Sequence, residues 1–311
     1  DTEALAGYFQ YTAGDAYTYD EDRYVSFYAN GSYTFDERAT VTASMRIDQS
    51  NLFGSDPKYQ YRPLWSVGGQ YILLKNQNWV DRLSFRMTYG INGNIPRNTG
   101  PYLTIASSGI NTDINDYQYT VQTPENPGLR WEKTAVFNVG VDFNLFGNRF
   151  NGSVEFYNKN TSDLLHTKTL DPTLGWTQLQ INYGKMYNRG VEVSLHGVCI
   201  ATRDFTWSTN ATFSYNKNKV TELESNSNGV SDYITSAQIR EGKPMNSMYS
   251  VRWAGLDEKG APQAYKKDGT IVKSITNLTV DDLVYCGTIT PPYAASLSNK
   301  SEASGLRKTT H

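Results

Sequence analysis

Charge is sparse in this 311-residue chain: charged residues make up 19%, and 29 Lys and Arg against 31 Asp and Glu leave a net charge of −2. Such a balance offers no polycationic surface, so a nucleic-acid partner is not expected. Cysteine is nearly missing too. Cys199 and Cys286 are the two thiols, neither sits in a CxxC or Cys/His cluster, and both are expected to stay unpaired, with no disulfide framework and no zinc pattern. Long apolar runs are absent. The longest, such as residues 71–74 and 198–201, span a few positions, whereas a membrane-spanning helix needs roughly 20. A helical membrane protein is therefore excluded. Residues 1–15 show no basic start followed by an apolar segment, so no signal peptide is read there.

The chemistry of catalysis is equally scarce. Of three histidines, His166 is expected in a loop, His196 on a polar strand face and His311 in a polar tail. Gly242-Lys243 is followed by Pro244 rather than by the Ser or Thr of a phosphate loop, and neither G-x-S-x-G nor H-E-x-x-H occurs. The acidic runs Asp281-Asp282 and Asp20-Glu21-Asp22 read as solvated loop charge rather than calcium ligands. The expectation is a protein that is not an enzyme and holds neither metal nor cofactor.

What the chain does have is 23 Tyr, 12 Phe and 6 Trp, together 13% of its residues, among many Ser, Thr, Asn and Gly. This composition suits pleated strands and turns better than helices. The pattern agrees. Val25, Phe27, Ala29, Gly31, Tyr33 and Phe35 alternate with Tyr24, Ser26, Tyr28, Asn30, Ser32 and Thr34, which predicts a strand over 23–35. A turn at 36–38 returns it as a second strand over 39–48. Further strands follow around Trp65, from Leu83, over 133–145, from Phe150, around Val191 and from Phe205, and a ninth begins at Tyr293. The connections alternate. Turns at 36–38, 76–81, 147–148 and 199–204 are short, whereas 93–131, 158–189 and 216–292 are long.

Segments of about ten residues tilted about 45° cover roughly 23 Å, close to the apolar band of a transmembrane barrel. One face of each strand is continuous and rich in rings. The other is small and polar, too polar to pack a dry core, which points to lipid outside and water inside. Short turns alternating with long loops fit the same all-β, antiparallel transmembrane barrel. About eight or nine strands are too few to close around so polar an interior, so an open sheet is expected. The soluble alternative, a secreted or surface carbohydrate-binding β-sandwich, requires a second sheet over the Phe137, Val139 and Val141 face. A glycoside hydrolase would require two suitably spaced carboxylates in a cleft.

Several motifs, in order, carry a family likeness: Tyr89-Gly90-Ile91-Asn92-Gly93-Asn94; Asn126-Pro127-Gly128-Leu129-Arg130-Trp131-Glu132-Lys133-Thr134; Glu155-Phe156-Tyr157-Asn158-Lys159-Asn160; Asn188-Arg189-Gly190-Val191-Glu192; Phe213-Ser214-Tyr215-Asn216-Lys217-Asn218; Glu241-Gly242-Lys243-Pro244; and Trp253-Ala254-Gly255-Leu256-Asp257. Over roughly residues 20–299 the chain resembles the SusC/RagA family of TonB-dependent outer-membrane transporters of Bacteroidota. The resemblance implies a 22-stranded barrel closed by an N-terminal plug. Such a barrel imports oligosaccharides or peptides with energy relayed by TonB, beneath a SusD-like surface lipoprotein. On that reading residues 1–311 are a partial barrel domain without the plug, inactive alone, with TonB contacted through the missing N-terminal region. Lumen-facing Arg46, Arg86, Asp142, Glu155 and Glu192 are expected to pair across the wall or with a plug. The expected ligand-binding residues are loop aromatics, Tyr102, Tyr117, Tyr119, Trp176, Tyr183, Tyr233 and Tyr249. Their rings stack on sugar faces while their polar tips hydrogen-bond.

Overall fold

The computed structural model describes residues 23–50, 62–94, 100–171, 173, 175–176, 178–223, 229–235 and 239–303. The Asp20-Glu21-Asp22 run, His311 and most of the 49–62 connection lie outside the described residues. Sixteen strands run in chain order: β1 (Tyr24–Phe35), β2 (Ala39–Ser50), β3 (Pro63–Gln77), β4 (Val80–Asn94), β5 (Thr104–Asn111), β6 (Asp116–Thr123), β7 (Glu132–Leu145), β8 (Phe150–Thr169), β9 (Gln178–Ala201), β10 (Phe205–Glu222), β11 (Ser247–Ser250), β12 (Arg252–Leu256), β13 (Pro262–Tyr265), β14 (Ile271–Val272), β15 (Val284–Thr288) and β16 (Tyr293–Ala303). Among the described residues one short α-helix, α1, covers Val230–Thr235.

Nine strands form one antiparallel sheet in the order β1-β2-β3-β4-β7-β8-β9-β10-β16, with β1 and β16 at its two open edges. The expected open, unclosed sheet is what the chain forms. Register joins every strand into rows. Tyr33, Val41, Gly69, Met87, Val139, Phe156, Val191, Tyr215 and Tyr293 stand side by side across all nine. One residue along, Thr34, Thr40, Gln70, Arg86, Gly140, Glu155, Glu192, Ser214 and Ala294 form the neighbouring row. Because successive side chains point to opposite faces, the first row is apolar and aromatic and the second small, polar or charged.

The apolar face is bare. Tyr33 is 71% exposed, Met87 50%, Phe156 41% and Leu297 69%, and among the described residues the buried hydrophobic cluster gathers around α1 and β11–β15 instead of on this sheet. The second sheet that a soluble sandwich needs is not found among them. A single-layer sheet with one apolar face is stable only where something apolar covers that face.

Consecutive antiparallel strands put the short turns at one end, where backbone bonds lace them together: Phe146 N donates to Trp79 O at 2.8 Å, Val198 N to Arg149 O at 2.7 Å, and Ile72 N to Arg38 O at 2.9 Å. The three long segments emerge at the other end, as expected. They are not mere loops. Residues 93–131 contain the β5–β6 hairpin, and 158–189 is largely an extension of β8 and β9, which reach 20 and 24 residues. His166 accordingly lies on β8. Residues 158–169 hold too many charged and amide side chains to show an apolar–polar alternation, and the alternation of Leu179, Ile181 and Tyr183 with Gln178, Gln180 and Asn182 is short, yet backbone pairing continues through a register shift between Thr161 and Leu164. Residues 216–292 complete β10 and then build a small unit on α1, β11–β15 and two 3-10 turns.

Candidate functional site

On the polar face Arg86 of β4 reaches across β7 to β8. Its Nε donates to Asp142 Oδ2 at 3.1 Å and its Nη2 to Glu155 Oε2 at 2.6 Å. The guanidinium lies close over Gly140 of the middle strand: a Cβ there would sit 3.0 Å from Nε and 3.1 Å from Cζ of Arg86, so a larger residue would push the guanidinium aside by a few tenths of an ångström. Asn138 donates to the other oxygen of Glu155. Arg86, Asp142 and Glu155 therefore pair across neighbouring strands, one of the two arrangements expected of the charges on this face. Arg46 instead takes a partner on its own strand, Asp48, at 2.6 Å. Glu192 stands directly opposite Glu155, exposed and without an ion pair among the described residues. These two carboxylates open onto a hollow of about 420 Å³ bordered by Ser153, Ser194, Thr212 and Ser214.

Above this wall the motif at 126–134 has a clear physical role. Asp163 sits in the β8 bulge with a left-handed φ of 56° and accepts Arg130 Nη2 at 2.6 Å and Arg62 Nη1 at 3.3 Å. Asn182 of β9 closes the knot: its Nδ2 donates to the carbonyls of Arg130 and Asp163 at 2.8 Å, and its Oδ1 accepts Arg130 N at 2.9 Å. Leu129, 2% exposed, is buried beneath. The strand extension of β8–β9 and the segment entering β7 are thus clasped together. Asp163→Asn keeps a residue that tolerates left-handed backbone but removes the charge, and is expected to cost the clasp about 1–3 kcal/mol. Faster hydrogen–deuterium exchange across 126–131, with the sheet strands unchanged, is the corresponding measurement.

Sequence reasoning picked seven loop aromatics, and the structure separates them into groups. Tyr102 borders a hollow of about 410 Å³ with Thr104, Thr123, Thr167, Gln178 and Gln180. Tyr117 and Tyr119 stand half exposed on β6, with Ile110 opposite Tyr117 and Val121 farther along the same face. Trp176 lies half-buried in the β8–β9 connection. Tyr183 is 41% exposed at the β9 register shift, where its phenol hydrogen-bonds Glu222. Tyr233 and Tyr249 are different. At 8% and 6% exposure they meet edge to face, ring centroids 5.4 Å apart, and Tyr249 meets Tyr285 at 6.1 Å. They form the core of the small unit with Leu278 and Leu283, so their rings have no free face. The local pattern around them, short and irregular, contained no period from which burial could be read.

That unit is also held by two carboxylates outside the sheet. Asp282, 9% exposed, accepts the backbone N–H groups of Lys267 at 2.8 Å and Thr279 at 2.7 Å, and the Thr279 hydroxyl. These bonds hold its carboxyl down at about 2, from 3.8. Asp257 is likewise lowered to about 2 by Lys273 and by the N–H groups of Ala261 and Lys259. Groups with depressed values stabilise the fold above their unfolded value and cease to do so as pH falls through the folded value. The unit is therefore expected to loosen between about pH 4 and pH 2, followed by hydrogen exchange of β11–β15, and Asp282→Asn should loosen it already at neutral pH. The thiols of Cys199 and Cys286 are free and exposed.

Comparison with known proteins bears on the whole sheet. Residues 2–296 match the family model described as TonB dependent receptor-like, beta-barrel. TonB-dependent receptor P39 of Formosa agariphila is 30% identical over 85% of this chain and 26% of its own length. TonB-dependent receptor SusC of Bacteroides thetaiotaomicron is 28% identical over 83% of this chain and 26% of its own. The chain thus spans about a quarter of the curated relatives it matches. Among solved structures, the RagAB peptide importer in its open-open state superposes with a TM-score of 0.77 at 28% identity, covering 91% of this chain and 31% of that one. The alternating rows, the one-ended long connections and these matches together make the chain a member of the TonB-dependent receptor β-barrel family, of the SusC/RagA type.

Proposed function

We propose that these nine strands are a stretch of the wall of an outer-membrane importer that takes up oligosaccharides or peptides with energy relayed by TonB. The observation that carries this reading is the pair of neighbouring rows that cross all nine strands, one apolar and exposed, the other polar and carrying the Arg86 network. Such a wall separates lipid from a hydrated lumen. The long-connection end is extracellular on this reading, and the short turns are periplasmic. The exposed Glu192 beside Glu155 gives the lumen a surplus of negative charge, which suits a basic side chain of a plug segment supplied by the remainder of the transporter. A SusD-like lipoprotein is the proposed partner at the extracellular mouth, and the exposed Tyr102, Tyr117, Tyr119 and Tyr183, with the half-buried Trp176, are the proposed ligand contacts there.

Two measurements on the full-length protein in its native membrane test this. Uptake of a labelled oligosaccharide or peptide should vanish when TonB is deleted and when the gene is deleted, and uptake that survives either deletion overturns the assignment. Epitope tags placed within 93–131, 170–178 and 224–228 should be accessible to antibody on intact cells, whereas tags at 36–38 and 202–204 should not. Equal accessibility of both sets overturns the orientation.

A further inference from the structure

The apolar face does not stay apolar up to the long-connection end of every strand. Directly above the row that holds Val139, Phe156, Val191 and Tyr215, the next row on the same face runs from Phe137 to Asn158, Arg189 and Lys217, and the one after it from Ala135 to Asn160, Tyr187 and Lys219. Amides and cations thus replace aliphatic and aromatic side chains on β8–β10. The change falls at the edge of the hydrocarbon. From Phe205 to Tyr215 the apolar face of β10 covers roughly 23 Å at about 45° of tilt, close to the height of about 25 Å expected of an apolar band. Lys217 is the next residue on that face.

Three cations share this patch without a carboxylate. Arg189 and Lys217 are exposed and Lys219 is half-buried, and none of them forms an ion pair among the described residues. Glu222, the acid of β10, is taken by Lys185 at 2.5 Å, and Glu155 and Glu192 stand on the opposite face. Arg189 also lies directly opposite Lys217, and like charges so placed repel. The arginine is held there nonetheless: its Nε donates to Asn158 Oδ1 at 3.0 Å and its guanidinium lies over the Tyr187 ring, 4.5 Å from the centroid. Its two Nη groups meet no protein acceptor among the described residues. The exposure is not that of an open edge, because β9 pairs with β8 and β10 on its two sides, and beside the lysines Asn216 N donates to Pro292 O at 2.8 Å and Val220 N to Lys243 O at 2.9 Å. At the short-turn end charge is balanced, as where Lys75 pairs with Glu37 at 3.3 Å.

We propose that Arg189, Lys217 and Lys219 form a phosphate site on the outside of the wall, holding the headgroup of an anionic phosphorylated lipid whose acyl chains lie on Phe156, Val191 and Tyr215. The inference rests on the reading that the apolar face meets lipid, and it adds a bound ligand and its place. Directly opposed Cβ atoms stand about 5 Å apart and successive rows on one face about 7 Å apart, so one phosphate reaches Arg189 and Lys217 together, with Lys219 above them. The guanidinium offers a phosphate two parallel N–H donors, and each ammonium group adds a point charge. The bound anion also relieves the repulsion between Arg189 and Lys217. Continuity favours a lipid over a free anion: the patch adjoins the lipid-facing row, so the chains bring the headgroup to it. An acidic protein segment laid there would have to strip lipid from that row.

The test uses the purified full-length protein in detergent, with native mass spectrometry reading what it retains, and four probes: a monophosphorylated lipid A, the same lipid with its phosphate removed, inorganic phosphate, and hexaglutamate. The phosphorylated lipid should be retained about tenfold more tightly than its dephosphorylated form. Arg189→Gln and Lys217→Gln should each weaken that retention about fivefold, whereas Lys159→Gln, which removes an exposed charge from the opposite face of β8, should stay within about twofold. If Arg189→Gln lacks the heat-modifiable mobility of a folded barrel, Lys217→Gln carries the test, since its ammonium group bonds no protein group among the described residues. Equal retention of the two lipids, or folded variants that retain lipid as the wild type does, overturns the site. Inorganic phosphate that binds as tightly as the lipid, or hexaglutamate that displaces it, overturns the lipid as occupant. All these outcomes leave the lipid-facing reading standing, whereas a wild type that fails to insert into lipid vesicles removes that reading and the site with it.

Discussion

Val139→Arg should impair insertion of the full-length protein into lipid vesicles by about 2–4 kcal/mol, whereas Ser194→Arg should insert nearly as the wild type does. Val139 lies midway along β7, flanked in its row by Met87 and Phe156, so an arginine there would have to be carried from water into the acyl chains. Ser194 is on the opposite face, exposed beside the hollow that Glu155 and Glu192 share. A guanidinium in that place stays hydrated and gains two carboxylate neighbours. Folding scored by heat-modifiable gel mobility separates the cases. Equal damage from both substitutions, or more from Ser194→Arg, would mean that the apolar face packs against protein.

Gly190→Val is expected to destabilise the barrel by about 3 kcal/mol, against the usual preference of strands for β-branched residues. A Cβ at 190 would lie 2.4 Å from the carbonyl oxygen of Tyr215 and 2.4 Å from the hydroxyl of Tyr157. The phenol can swing aside, but the Tyr215 carbonyl belongs to the ladder with β10 and cannot. Gly197, on the same strand, is the control: its nearest neighbour would be Phe150 Cδ2 at an ordinary 3.6 Å, and Gly197→Val should be neutral or slightly stabilising. Urea unfolding of both variants in vesicles reads the difference, and a neutral Gly190→Val would show that Asn188-Arg189-Gly190-Val191-Glu192 does not owe its glycine to close packing.

Much of the nine-stranded sheet was legible because a strand with lipid on one side and water on the other must alternate at every residue. Val25 to Phe35 and Lys133 to Leu145 do so except at Tyr28 and Val136, and their ends fall within one residue of β1 and β7. Where that two-solvent constraint stops, the pattern shortens to stretches such as Gln178–Tyr183. Above the wall, both faces of the β8–β9 extension meet water and other connections, so residues 158–189 read as a loop although backbone pairing continues there. The β5–β6 hairpin was missed although β6 alternates, with Tyr117, Tyr119 and Val121 between Asp116, Gln118, Thr120 and Gln122, because it is short and lies within a long connection. Aromatics in those regions looked alike in sequence, yet Tyr233 and Tyr249 became a core while Tyr102 and Tyr117 stayed exposed.

By itself, the sequence determined the class of fold, the two faces and the end from which the long connections rise, because period and turn length are local properties of the chain. Tertiary structure alone decided the partners. Arg46 and Arg86 look equivalent in the sequence, each on a polar strand face with carboxylates in range. Register placed Asp142 and Glu155 around Arg86 and left Asp48 to Arg46, so one guanidinium braces three strands while the other pairs within its own strand. Register is the cumulative result of every bulge and turn between two strands, and no single segment contains it.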